Sequence, residues 1–123
     1  MKKITIIEDD HALLEMYKLK FEMAGFMVST ASNGFEGLKV IEQEQPDIVL
    51  LDIMMPEMTG DEMLIKLRKE AWGKDVRVII FTNISQEERP VSLISLNVSG
   101  YVNKASTTPQ MVVKKVQMLL KSK

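Results

Sequence analysis

Two runs, Ile48-Val49-Leu50-Leu51 and Val78-Ile79-Ile80-Phe81, restrict the fold of this chain more than any other feature. Each is apolar at every position, so an extended segment there needs cover on both faces, whereas a strand wetted on one side would alternate. Central strands of a parallel sheet between two helical layers meet that demand. Three more runs rich in β-branched residues fit the same sheet: Ile4 to Ile7, Met27 to Ala31 and the shorter Tyr101-Val102, while the fourth run reaches back to Val76.

The intervening segments carry helix punctuation. Asp10 is placed to cap a helix running to Ala24, and Gly25 supplies the left-handed residue that closes it. A second helix starts at Ser32-Asn33-Gly34. Thr59-Gly60-Asp61-Glu62 and Ser85-Gln86-Glu87-Glu88 both read as capping boxes, in which hydroxyl and carboxylate satisfy each other's orphan amides. Thr108-Pro109 opens a last helix with Val112, Val113, Val116, Leu119 and Leu120 as its apolar stripe. Five β-α units in succession, with short connections, predict a doubly wound α/β sandwich over residues 1–123, read as one domain.

Charge narrows the function. Sixteen Lys plus Arg against seventeen Asp plus Glu leave no global field to recruit nucleic acid or an anionic membrane, so neither is an expected partner. The apolar run after Met1-Lys2-Lys3 ends at Glu8, too early for a signal peptide, and no segment approaches the roughly 20 apolar residues of a membrane span. A cytoplasmic protein is expected. The absence of cysteine excludes thiolate metal sites and cysteine catalysis.

Ligands of open parallel sheets bind beyond the carboxyl ends of the strands. There this sequence places Glu8-Asp9-Asp10 after the first strand, Asp52 after the third, Thr82 after the fourth and Lys104 after the fifth. Two carboxylates about 5 Å apart repel by roughly 3 kcal/mol at an effective dielectric constant near 20, so such a cluster calls for a cation. With no cysteine and His11 the only histidine, a hard ion held by oxygen suits it, Mg²⁺ or Mn²⁺ in its place. A metal held by few carboxylates completes its shell with water and phosphate oxygens, which points to phosphoryl chemistry. Asp52 is placed as nucleophile, with Thr82 and Lys104 to bind phosphoryl oxygens.

The segments KKITIIEDDHALLEMYKLKFEMAGF, ASNGFEGLKVIEQEQPDIVLLDIMMPEMTG, VIIFT and SGYVNKA, in that order over nearly the whole chain, resemble a bacterial two-component response-regulator receiver domain of the stand-alone, chemotaxis-receiver-like kind. The resemblance implies a flavodoxin-like five-stranded parallel sheet ordered 2-1-3-4-5. It implies that Asp52 accepts a phosphoryl group from a histidine kinase or phosphotransfer protein. Asp9, Asp52 and the Met54 backbone carbonyl would bind the metal directly, Glu8 through a water, and Asp10 would cap the helix. Thr82 and Tyr101 would form the switch pair. His11, Leu14 and Lys18 are expected to dock the phosphodonor, Leu14 as an exposed residue. An unknown downstream protein would meet a face including Val91, Ile94, Tyr101 and Met111.

This sequence also departs from the family pattern. Asn97 stands where a glycine commonly closes the fourth helix, and asparagine is the next best left-handed residue. Ala105 replaces the proline that usually follows the lysine, so the peptide before it is expected to be trans, or strained if cis. Asn83 replaces a very small residue and is expected to slow small phosphodonors. Ser99-Gly100 replaces an acidic pair used in receiver dimers, leaving a monomer or weak homodimer. The chain stops soon after the last helix, which fits a stand-alone receiver and equally an excised one. Such a protein is a signalling switch and no enzyme in the ordinary sense. The alternative is a pseudo-receiver acting as a phosphorylation-independent interaction module. A dehalogenase-type phosphatase is disfavoured because Met54 stands where its acid belongs, and a flavin binder because carboxylates follow the first strand.

Overall fold

The computed structural model describes residues 2–84, 88, 93 and 95–121. Five parallel strands form one sheet: β1 (Lys3–Ile7), β2 (Met27–Ala31), β3 (Ile48–Leu51), β4 (Arg77–Thr82) and β5 (Gly100–Asn103), in the order β2-β1-β3-β4-β5. The described residues contain four α-helices: α1 (His11–Met23), α2 (Gly34–Glu44), α3 (Gly60–Lys69) and α4 (Pro109–Lys121). The register sets Ile7 beside Leu51 and Leu51 beside Ile80, so β1, β3 and β4 end nearly level with one another. That alignment makes one chemical edge out of residues far apart in sequence.

The fully apolar runs divide by parity. Val49, Leu51, Val78 and Ile80 face one core with Ile41 of α2 and Met63, Leu64 and Leu67 of α3. Ile48, Leu50, Ile79 and Phe81 face the other with Leu14, Tyr17 and Phe21 of α1 and Val112 and Val116 of α4. Successive strand residues point to opposite faces, so two covered faces need the unbroken hydrophobicity seen in the sequence.

Helix starts follow the expected caps. Asp10 Oδ1 accepts from the Leu13 amide at 3.2 Å, Asn33 Oδ1 from the Glu36 amide at 2.8 Å, and Thr59 with Glu62 forms a capping box. Gly25 (φ 93°) and Asn97 (φ 55°) are left-handed where the sequence required it, and so are Gln45 (φ 47°) and Glu57 (φ 68°), which it did not announce. The expected cap at Ser85-Gln86-Glu87 lies outside the described residues, as do Val91 and Ile94. Leu93, within that stretch, is buried in the α2-α3 core.

Candidate functional site

The carboxyl edge gathers Glu8, Asp9, Asp52, Thr82 and Lys104 around a cavity of about 530 Å³, whose wall also includes Asp10, Met54, Asn83, Ile84 and Glu88. Backbone pairing fixes the two inner carboxylates: the Glu8 amide donates to the Ala31 carbonyl at 3.0 Å and the Asp52 amide to the Ile7 carbonyl at 3.1 Å. Both residues therefore continue the sheet by one position and point off its end. Gly60 holds the turn after β3 tight, since a Cβ there would meet the Asp52 carbonyl oxygen at 2.3 Å.

Glu8, Asp52 and Thr82 are all at most 2% exposed, while Asp9 lies at the surface. Lys104 Nζ bridges the inner pair, 2.5 Å from Glu8 Oε1 and 3.1 Å from Asp52 Oδ2. It also lies 5.2 Å from the centre of the Phe81 ring, within cation–π range. Asp52 Oδ1 takes the Met54 amide at 3.1 Å, and Glu8 Oε2 takes the Asp10 amide at 3.0 Å. Glu8 Oε1 has the Lys104 ammonium as its one close partner, a short ion pair off the usual hydrogen-bond angles. Thr82 Oγ1 accepts weakly from the Ile84 amide at 3.4 Å, keeping its hydroxyl proton available to the cavity.

One ammonium does not balance three acids. Burial, aided by the Asp52 charge and opposed by Lys104 and the Asp10 amide, pushes the Glu8 carboxyl from 4.5 up to about 7. Burial works against the charged form of Lys104 too, but the bonds and charges of Glu8 and Asp52 outweigh it, so its pKa rises. Ligand oxygens of Glu8, Asp9 and Asp52 lie within 4.8 Å of one another. An all-oxygen donor set of three acids sharing one ammonium fits a hard divalent ion such as Mg²⁺.

The other expected residues separate. Tyr101 is half-buried and donates its hydroxyl to the Ile84 carbonyl at 2.9 Å, which links β5 to the loop after Thr82. The Lys104-Ala105 peptide is trans, and Asn103 Oδ1 caps the following turn through the Ala105 amide at 2.9 Å. His11 is exposed, and Lys18 is half-buried beside Glu22 at 3.7 Å. Leu14 corrects the sequence reading: at 4% exposure it belongs to the core and cannot present a docking side chain. It shares one helix face with Tyr17 and Phe21 at i, i+3 and i+7, a spacing that signals burial. Gly60, Asn103 and Ile84 were not picked out as site residues; only Gly60, following a cap and closing on a strand end, left a trace in the sequence.

Comparison with known proteins agrees with this geometry. A family model described as "Response regulator receiver domain" matches residues 4–117. The chain is 30% identical over 121 residues to the DNA-binding dual master transcriptional regulator RpaA of Synechocystis, covering 98% of this chain and 50% of that protein. It spans about half or less of the length of the curated relatives it matches. Among solved structures, a CheY-like receiver domain protein from Methanospirillum hungatei superposes with a TM-score of 0.88 at 30% identity, covering 98% of this chain and 94% of that one. The response regulator protein TrrA of Thermotoga maritima, solved with Mg²⁺-BeF, gives 0.83 at 33% identity, covering 97% and 99%.

Proposed function

Because the chain belongs to the response-regulator receiver family of two-component systems, we propose that it is a phospho-accepting switch whose acceptor is Asp52. The observation that carries this reading is the meeting of Asp52, Thr82 and Lys104 in one cavity beside the Glu8-Asp9 acids. An Asp52 oxygen attacks the phosphorus of a phosphohistidine on a histidine kinase or phosphotransfer protein. The new P–O bond forms as the P–N bond breaks, and the electron pair leaves with the imidazole. The Lys104 ammonium, already within reach of Asp52, neutralises charge on the transferred group, and the Thr82 hydroxyl donates to one of its oxygens. Mg²⁺, held by Asp9, Asp52 and the Met54 carbonyl, with Glu8 acting through a water, would supply further neutralisation of phosphoryl charge.

The switch follows from the same contacts. Thr82 moving toward a phosphoryl group releases its tie to the Ile84 amide, and Tyr101 is bonded to the carbonyl of that same Ile84. A charge change at Asp52 is thereby relayed to β5, the face offered to a downstream protein. The protein works in the cytoplasm and catalyses only its own phosphorylation and dephosphorylation.

Incubation with acetyl phosphate, with and without Mg²⁺, followed by intact mass tests this. A gain of about 80 Da, one phosphoryl group, is expected for wild type with metal and not for Asp52→Asn. Asn83→Ala is expected to label faster, since the exposed Asn83 side chain lines the entrance. Failure of wild type to label from either a small donor or a kinase would favour the phosphorylation-independent module.

A further inference from the structure

Helix α1 keeps an apolar seam on the side away from its own sheet. Leu14, Tyr17 and Phe21 face the core, while Met16 (38% exposed), Leu19 (56%) and Met23 (72%) lie opposite with exposed Ala12. The spacing 12, 16, 19, 23 alternates steps of four and three, the a/d repeat by which two helices pack side by side. With Met16 and Met23 at a, Ala12 and Leu19 take d, Glu15 and Glu22 take g, and Lys20 takes e. The core-facing pattern and this seam share one helix without sharing a residue.

We propose that α1 pairs with α1 of a second copy of this chain in a parallel, two-fold symmetric dimer. Charge selects both the occupant and its direction. In a parallel pair each g residue meets the e residue five positions on in the partner, so Glu15 meets Lys20 twice by symmetry. Among the described residues neither of these makes an ion pair within its own chain, whereas Glu22 is already beside Lys18 at 3.7 Å. An antiparallel pair would set Glu15 against Glu22 and lose those bonds. Because Asp10 caps the start of α1 next to the acidic site, a parallel dimer puts both sites at the same end. The seam is under two heptads long and smaller than the roughly 800 Å² per partner of a standard interface, so the association is weak.

Sedimentation velocity at low salt, from about 10 μM to about 1 mM, covers the range in which so small an interface associates. The wild-type mean mass is expected to rise toward twice that of the monomer. Leu19→Lys is expected to stay monomeric, and Lys20→Glu to weaken association about tenfold, one decade being the scale of a lost pair of exposed contacts. The double variant Glu15→Lys with Lys20→Glu restores the pairing in swapped form and is expected to recover it. All these positions are exposed, and circular dichroism checks that each variant keeps its fold. A monomer at the highest concentration, a dimer indifferent to Leu19→Lys, or a charge swap that fails to recover association would each overturn the proposal.

Discussion

Two cations sit partly buried at different places in this fold, and their surroundings are opposites. Arg68, near the end of α3, directs its guanidinium at five carbonyl oxygens, those of Gly73, Lys74, Val76, Leu96 and Asn97, at 2.8 to 3.3 Å. It ties the end of α3 to the start of β4 and to the chain entering β5, and each of its three nitrogens donates. Lys104 instead faces two buried carboxylates with a third acid nearby, one ammonium shared among them. The first centre has its cation met by backbone oxygens and serves the fold. The second carries surplus negative charge, which works against the fold and leaves a place for a ligand.

The contrast predicts different responses to substitution. Lys104→Met strands two buried carboxylates and is expected to cost about 3 kcal/mol near neutral pH without metal, the lower end for breaking a buried pair. Urea unfolding measures it, and most of the loss is expected to return on acidification. Arg68→Met leaves several carbonyls short of partners and is expected to cost about 2 kcal/mol. That loss is expected to be the same at pH 5 and pH 8 and with or without Mg²⁺. A metal-sensitive Arg68 variant would break the distinction.

A smaller effect follows from Glu8. Its folded pKa of about 7 lies above the ordinary 4.5, so the folded chain holds a proton that the unfolded chain has released between those values. The contribution to stability is full below pH 4.5 and is lost as pH rises through 7. Metal-free denaturation from pH 5 to 8 is expected to show this decline, and Glu8→Gln to flatten it. An unchanged slope in that variant would place the titration elsewhere.

The contrast also separates what was legible in the sequence from what was not. Strand-end residues were legible because a strand has a two-residue period and a parallel register, so the position after each apolar run leads to the same edge. Glu8, Asp52, Thr82 and Lys104 meet there for that reason. Leu14 was misplaced because the resemblance to the family, and not the helix period, set its phase, whereas the period groups it with Tyr17 and Phe21. Arg68 was missed because its partners are backbone carbonyls, which any sequence supplies and none announces. The seam on α1 needed the core face to be known before its own phase could be read.

Thermal unfolding in chelated buffer and in saturating Mg²⁺, on wild type and Asp52→Asn, tests the unfinished charge at the carboxyl edge most directly. At a metal concentration about 100 times the dissociation constant, wild type is expected to gain about 2.7 kcal/mol and to melt several degrees higher. Asp52→Asn is expected to be the more stable protein in chelator and to gain much less from the metal. Equal Mg²⁺ shifts in the two proteins, or none in wild type, would contradict the account.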